Sequence, residues 1–395
     1  MNDFHELETE LSLREQRGQY RRRRIVQSPQ GREILVDDRW LLNFCSNDYL
    51  GLANEPRVRA AFVKGAEQWG AGSGASHLVC GHTKAHEQLE EALAEFTGRP
   101  RCLLFSSGYA ANVGVINSLL GNKDSVLQDR LNHASMIDGG LISGARLRRY
   151  AHRDIEDLQS KLSASRREGR RLIVSDGTFS MDGTTCDIRA LSKLAARHDA
   201  WLMIDEAHSL GVLGANGRGL IDPQQFSCDD VQIVIGTLGK ALGTQGGFVA
   251  GSEQLIEYLI QSARTYIYTT AVPAAVAVAT LTSLQLAQSE EERRERLQQR
   301  IRQFRTGAGQ LGLQLIDSAT PIQPIIIGGD ALAMRVSRKL EERGLLISAI
   351  RPPTVPRGSA RLRITLTAAH EENDVQRLLA ALEELQPVIN SETTE

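Results

Sequence analysis

The sequence predicts an α/β chain with a large domain on a mostly parallel sheet, followed by a smaller C-terminal α+β domain. Three observations carry this. Between residues 124 and 205, short apolar runs alternate with helix-like segments, an order that calls for a mostly parallel sheet with helices on both faces. The runs "WLMID", ending at Asp205, and "VQIVI", ending before Gly236, read as buried strands that empty into polar loops. Beyond a long helical stretch near residues 273–311, alternating elements resume and continue nearly to the end of the chain.

Taken in order, residues 4–24 have Phe4, Leu7 and Leu11 at helical spacing and close in the run Arg21 to Arg24. Those arginines suit a solvated face or an anionic substrate. Residues 33–36 and 40–44 form a hairpin turning at Asp37 and Asp38, and residues 56–69 are helical. The glycine-rich segment before a helix at 86–96 suits close backbone packing or a flexible loop equally. The strand "CLLF" runs into "SSGYAAN", which puts Ser106, Ser107 and Gly108 at a helix N-terminus with Tyr109 just inside. Free N–H groups and the helix dipole make such an end an anion site, or simply a serine-capped helix. After residue 312 come "IQPIIIGG", a helix at 331–343, "LLISAI" and "ARLRITLT" as strands, and a helix at 370–386. The tail "NSETTE" reads as disordered.

The 395 residues suffice for two or three domains at about 150 each. The boundaries expected are an N-terminal helix and hairpin over 1–50, a large domain over 51–285 and a small domain over 286–395. With 46 basic and 48 acidic residues the net charge is -2, which argues against nucleic acid as a partner. The five cysteines are scattered without a CxxC pair, so no zinc site or disulfide framework is signalled and a reducing cytoplasm is expected. The N-terminus has no apolar core of a signal peptide, and the longest apolar tract, 271–279, falls far short of the roughly 20 residues of a membrane span.

The chemistry centres on Asp205 and Lys240. In an open α/β sheet, ligands bind outside the carboxyl ends of the strands, so these two groups can converge on one site. A lysine can hold an aldehyde cofactor, and an aspartate facing a pyridine nitrogen keeps it protonated, so that the ring draws electrons from a substrate carbon. That pairing suits pyridoxal phosphate. Gly236, Gly239 and Gly243 around Lys240 allow backbone to approach a bulky cofactor. Taken singly, Asp205 reads as a helix cap and Lys240 as a solvated loop lysine. His133 follows a strand and opens a helix, where an imidazole can lie against a ring or serve structure alone. Ser180 and His208 also lie just past strand ends.

Two other classes were weighed. The run "IDEAH" mimics the acidic strand end of helicase-type NTPases, but Val234 stands where the phosphate loop needs its first glycine and Ala241 follows the lysine. A non-catalytic scaffold of the same fold would be expected to lack the lysine that is present here.

The motifs "NFCSNDYLGL", "SSGYAAN", "LNHASMIDG", "FSMDG", "GTLGKALG" and "IRPPTVPRGSARLRITLTAAH" run nearly end to end. By them the sequence resembles the α-oxoamine synthases, pyridoxal-phosphate enzymes of the aspartate-aminotransferase-like fold (fold type I), with a large domain on a seven-stranded, mostly parallel sheet. The resemblance implies that Lys240 holds the cofactor aldehyde and shuttles the substrate Cα proton, that Asp205 pairs with the ring nitrogen, and that His133 stacks on the ring. It implies that Ser180 and His208 meet the 3-hydroxyl, and that Gly108, Tyr109 and Thr237 hold the phosphate. Thr269 or Thr270 would reach the phosphate of a neighbouring subunit, implying a homodimer with interfacial sites. Arg351 would grip the amino-acid carboxylate with Asn47 beside it, a role suited to a bidentate guanidinium on a backbone stiffened by Pro352 and Pro353. Arg21 and Thr354 would contact the acyl substrate. The stretch "IRPPTVP" is most similar to the branch that condenses L-alanine with a pimeloyl thioester, carried on CoA or acyl carrier protein. The short-chain branch, which joins glycine to acetyl-CoA, is the alternative.

Overall fold

A computed structural model of the protein describes residues 4–16, 19–165 and 168–390. Thirteen strands are present among them: β1 (Glu33–Val36), β2 (Arg39–Asn43), β3 (Arg101–Phe105), β4 (Ser125–Asp129), β5 (Arg146–Tyr150), β6 (Arg171–Asp176), β7 (Trp201–Asp205), β8 (Ile233–Thr237), β9 (Gly247–Gly251), β10 (Ile322–Gly328), β11 (Leu345–Leu346), β12 (Ser348–Ile350) and β13 (Ala360–Thr365). The central sheet has seven strands in the order β3-β9-β8-β7-β6-β4-β5. β9 runs antiparallel to both of its neighbours and every other pairing is parallel.

The sheet is sandwiched because its strands are apolar on both faces. Leu172, Val174, Met203, Ile233 and Ile235 point into one core, whereas Ile173, Leu202, Ile204 and Val234 point into the other. Alternate residues of one strand face opposite sides, so a strand buried throughout must be covered by helices above and below. Side-chain caps start those helices. Ser107 accepts from Ala110 N at 3.1 Å, Asp187 from Ala190 N at 2.9 Å and Ser252 from Leu255 N at 3.2 Å, satisfying N–H groups that have no acceptor within the helix. Gly98 ends the helix Lys84–Thr97 at φ 63, the left-handed region that favours glycine.

Several elements depart from their expected bounds. The first helix spans His5–Gln16, and the run Arg21 to Arg24 is not helical; four adjacent like charges add no i,i+4 pairing to extend it. The stretch 273–311 is two helices, Ala274–Ser289 and Glu291–Gln310, broken at Glu290 with φ -105 and ψ 73. Glu290 is held there by Arg57 at 2.5 Å and Arg293 at 2.6 Å, and Arg293 also meets Glu55 at 2.7 Å. "LLISAI" divides into β11, which pairs with β2, and β12, which pairs with β13, so the chain changes sheets at Ile347. β8 continues through Thr237, which makes that residue the last of its strand. The final helix extends to Asn390 with Pro387 inside it; the tail beyond, 391–395, lies outside the described residues. No described helix is long and apolar enough to cross a membrane.

Candidate active site

The carboxyl ends of the parallel strands meet at one place. Asp176 ends β6, Asp205 ends β7 and the two are paired in register. Lys240 follows β8 by three residues. Its Nζ lies 2.8 Å from His208 Nε2, and His208 Nδ1 lies 2.6 Å from the Tyr49 hydroxyl. Burial lowers the Lys240 ammonium to about 8; Asp205 and Asp176 oppose that shift and Arg363 adds to it. Burial, followed by the nearby Lys240 charge, drives His208 well below the ordinary histidine range, so its imidazole is neutral at pH 7.

Asp205 is 4 % exposed and accepts hydrogen bonds from Asn112 Nδ2 at 2.7 Å and Ala207 N at 2.9 Å. Asn112 also donates to Ser135 Oγ at 2.9 Å, while its buried Oδ1 has no hydrogen-bond partner among the described residues. The neighbouring Asp176 is raised well above the carboxylate range, first by burial and then by Asp205. Asp205 receives two of the hydrogen bonds to this pair and Asp176 receives one, from the His133 backbone N–H.

His133 caps the helix Ala134–Ile142. Its N–H donates to Asp176 Oδ2 at 2.8 Å, and its Nδ1 lies 2.8 Å from Ser135 Oγ. Burial lowers its pKa against the opposing pull of Asp205, so this ring too is neutral.

An anion cradle adjoins the cluster. Gly108 and Tyr109 are the first two residues of the helix Gly108–Leu119, where N–H groups lack intrahelical acceptors. A methyl group placed on Gly108 would stand 3.7 Å from Thr237 Cβ and 3.8 Å from its Oγ1, so the helix start faces the end of β8. Thr237 Oγ1 donates to Gly246 O at 3.1 Å. The Tyr109 side chain turns outward to Asp138.

Sequence reasoning missed Arg363. It sits on β13, is 7 % exposed and donates from Nε to Ser180 O at 2.7 Å and from a terminal nitrogen to Asn47 Oδ1 at 3.1 Å. Asn47 Oδ1 also accepts from Tyr49 at 3.3 Å. The signal was present: "ARLRITLT" puts Arg361 and Arg363 two apart on a strand of apolar residues, and a buried arginine needs a partner or a ligand. Tyr49, Asn112 and Asp176 were missed as well. Of these, only Asp176 carried a local cue, as another aspartate ending an apolar run.

The structure therefore brings Lys240, His208, Asp205, His133 and Asn47 together, with Ser180 joined through Arg363 and Gly108, Tyr109 and Thr237 alongside. Among the described residues, no side-chain hydrogen bond joins Arg21, Thr269, Thr270, Arg351 or Thr354 to this cluster. Arg351 precedes the cis peptide bond between Pro352 and Pro353, Thr354 and Arg21 are exposed, and Thr270 bridges to Ser76. The clustered residues fit pyridoxal phosphate: a buried amine that is easily neutralised, a hydrogen-bonded carboxylate, neutral imidazoles and a helix N-terminus beside a hydroxyl.

Comparisons with known proteins agree with that chemistry. The family described as Aminotransferase class I and II matches residues 39–382. A protein of Pseudomonas putida named 8-amino-7-oxononanoate synthase is 60% identical over 386 residues, covering 98% of each chain. One of Nitrosococcus oceani with the same name is 59% identical over 373 residues, 94% of this chain and 99% of that one. Among solved structures, SPT with its PLP internal aldimine superposes with a TM-score of 0.91 at 28% identity, covering 98% of both chains. The 8-amino-7-oxononanoate synthase of Francisella tularensis gives 0.77 at 35% identity, covering 87% of this chain and 97% of that one.

Proposed function

We propose that this chain, which belongs to the class I and II aminotransferase family, is a pyridoxal-phosphate acyltransferase that makes 8-amino-7-oxononanoate for biotin biosynthesis. It condenses L-alanine with a pimeloyl thioester and releases CO2 and the free thiol of CoA or acyl carrier protein. The observation that carries this reading is the Lys240–His208 contact beside Asp205, on a chain 60% identical over 386 residues to a synthase of that name.

The bound cofactor supplies an electron sink that lowers the cost of breaking a bond at the alanine Cα. Lys240 is the amine that would hold it, and its lowered basicity suits it to take the alanine Cα proton near neutral pH and return it. Asp205, held by Asn112 and the Ala207 N–H, would pair with the ring nitrogen. Neutral His133 would lie against the ring, His208 and Ser180 would serve its hydroxyl, and Gly108, Tyr109 and Thr237 would hold the phosphate. Of the two arginines, Arg363 is the better placed for the alanine carboxylate, because its charge acts on both Lys240 and His208. Asn47 stands beside it. Arg351, Thr354 and Arg21 fall to the acyl thioester.

A homodimer in the cytoplasm, with Thr269 or Thr270 reaching across to the partner's phosphate site, belongs to the same reading. The exposed apolar side chains Leu78, Val79, Leu141, Ile142 and Tyr268 supply surface suited to such an interface.

The test is thiol release by the cofactor-loaded protein with L-alanine and pimeloyl-CoA, compared with glycine and acetyl-CoA. Release with the first pair and formation of 8-amino-7-oxononanoate are expected. Turnover confined to the second pair would move the chain to the short-chain branch.

A further inference from the structure

We propose that His82, Glu87 and Glu90 form a site for a divalent transition-metal cation, Zn2+ by its ligand types, away from the Lys240 cluster. One ligand atom from each residue lies within 4.8 Å of the other two. Glu87 and Glu90 are three apart on the helix Lys84–Thr97 and so share a face. His82 stands just before Thr83, which caps that helix.

Both ring nitrogens of His82 have a neighbour, and Nε2 is the one that faces the carboxyl groups. Its Nδ1 lies 2.9 Å from His77 Nδ1 and its Nε2 lies 3.2 Å from Glu87 Oε2. His77 is itself fixed, buried at 8 % exposure and stacked on Tyr266 with ring centroids 4.9 Å apart. A metal-bound histidine characteristically has its second nitrogen held by a neighbour, which sets the ring's orientation, and His77 fills that place. A cation held between Nε2 and the two carboxyl groups would replace the proton of the His82–Glu87 hydrogen bond.

Glu90 is anchored by Leu104 N, which donates to it at 2.8 Å. Burial raises the Glu90 carboxyl to about 8, so a cation would bind there in exchange for a proton; Arg101, which opposes that shift, is itself paired with Glu257 at 3.3 Å. His86 stays out of the set: its Nδ1 accepts from Thr83 N at 3.0 Å and its Nε2 reaches Val272 O at 2.6 Å. One imidazole and two carboxylates are the donor set of a zinc site with a fourth position left for water, whereas Ca2+ and Mg2+ take oxygen ligands. Tetrahedral zinc needs ligand atoms roughly 3.5 Å apart, a contraction that exposed Glu87 and half-buried His82 can make by side-chain rotation.

The cluster sits where two segments are tied together. Thr270 bridges to Ser76, Ala271 N donates to Ala75 O at 3.0 Å, and His77 lies on Tyr266. A cation at His82 would therefore stiffen the turn at 76–90 against the segment at 266–272.

The experiment is calorimetric titration of the full-length, cofactor-loaded protein with Zn2+, run beside His82→Ala, Glu87→Gln and Cys80→Ser, each checked for an unchanged circular dichroism spectrum. The expected result is one Zn2+ per chain, bound about tenfold or more weakly by His82→Ala and Glu87→Gln and normally by Cys80→Ser. Zinc should also raise the melting temperature of the wild type and not that of His82→Ala. Absence of saturable binding overturns the site, as does binding that both ligand variants retain or that Cys80→Ser alone abolishes.

Discussion

His208 Nε2 stands 2.8 Å from Lys240 Nζ, and because burial keeps that imidazole neutral, it can accept a hydrogen bond from the lysine without adding charge to the pocket. Burial makes the lysine lose its proton near pH 8 instead of near its ordinary value of 10.5. The rate at which the cofactor-free protein takes up pyridoxal phosphate should therefore rise with pH through a midpoint near 8. The stability sign follows: between pH 8 and 10.5 the unfolded chain holds this proton and the folded protein does not, so the stability of the cofactor-free protein should increase across that window. Urea midpoints measured at pH 8 and pH 10 for wild type and Lys240→Met isolate the effect, and equal pH dependence in the two would refute it.

The paired carboxylates should respond differently to the same change. Asp176 is raised well above the carboxylate range, so Asp176→Asn mimics its protonated form and should keep turnover within about threefold of wild type. Asp205→Asn removes the carboxyl group proposed to pair with the ring nitrogen, and turnover should fall by about a hundredfold or more, the scale for losing an electrostatic partner of the reacting centre. Steady-state kinetics of both variants with saturating cofactor distinguish these outcomes.

Arg363→Lys keeps the charge and loses the fork that reaches both Ser180 O and Asn47. The KM for alanine should rise by about 1.5–3 kcal/mol of lost binding, with a smaller change for Arg351→Ala. The reverse order would return the carboxylate to Arg351.

Glycine positions test the phosphate cradle. A Cβ on Gly247 would lie 2.4 Å from Gly108 N and 2.5 Å from Ser107 C, so Gly247→Ala must displace the start of the helix Gly108–Leu119 and should weaken cofactor binding. Gly309, inside the helix Glu291–Gln310, has nothing within 4 Å of such a methyl, so Gly309→Ala should leave binding unchanged and stabilise the fold by roughly 0.5 kcal/mol. Cofactor titration and thermal melts check both.

Legibility followed locality. The strands ending at Asp205 and near Thr237 were visible because fully buried strands are continuous apolar runs bounded by glycine and polar residues. Lys240 and Asp205 lie 35 positions apart in the sequence, yet Asp205 ends one strand and Lys240 follows the end of its neighbour, and the rule that ligands bind at the carboxyl ends of strands placed them together. Arg363 could not be placed the same way. Its partners Asn47 and Ser180 are 316 and 183 positions away, and their meeting depends on how β13 sits against the loops of the central sheet. The break at Glu290 was hidden for a similar reason, because Arg57, which pairs with Glu290 from 233 positions away, and Glu55, which pairs with Arg293, come from a distant segment, and the local sequence reads as unbroken helix.

The assignment of Lys240 as the cofactor's anchor is tested most directly by reducing the cofactor-loaded protein with borohydride and mapping the labelled peptide by mass spectrometry. The pyridoxyl group should be found on Lys240, at one per chain, and should be absent from Lys240→Ala treated in the same way. A label on any other lysine, or one that persists in the variant, would contradict the site described above.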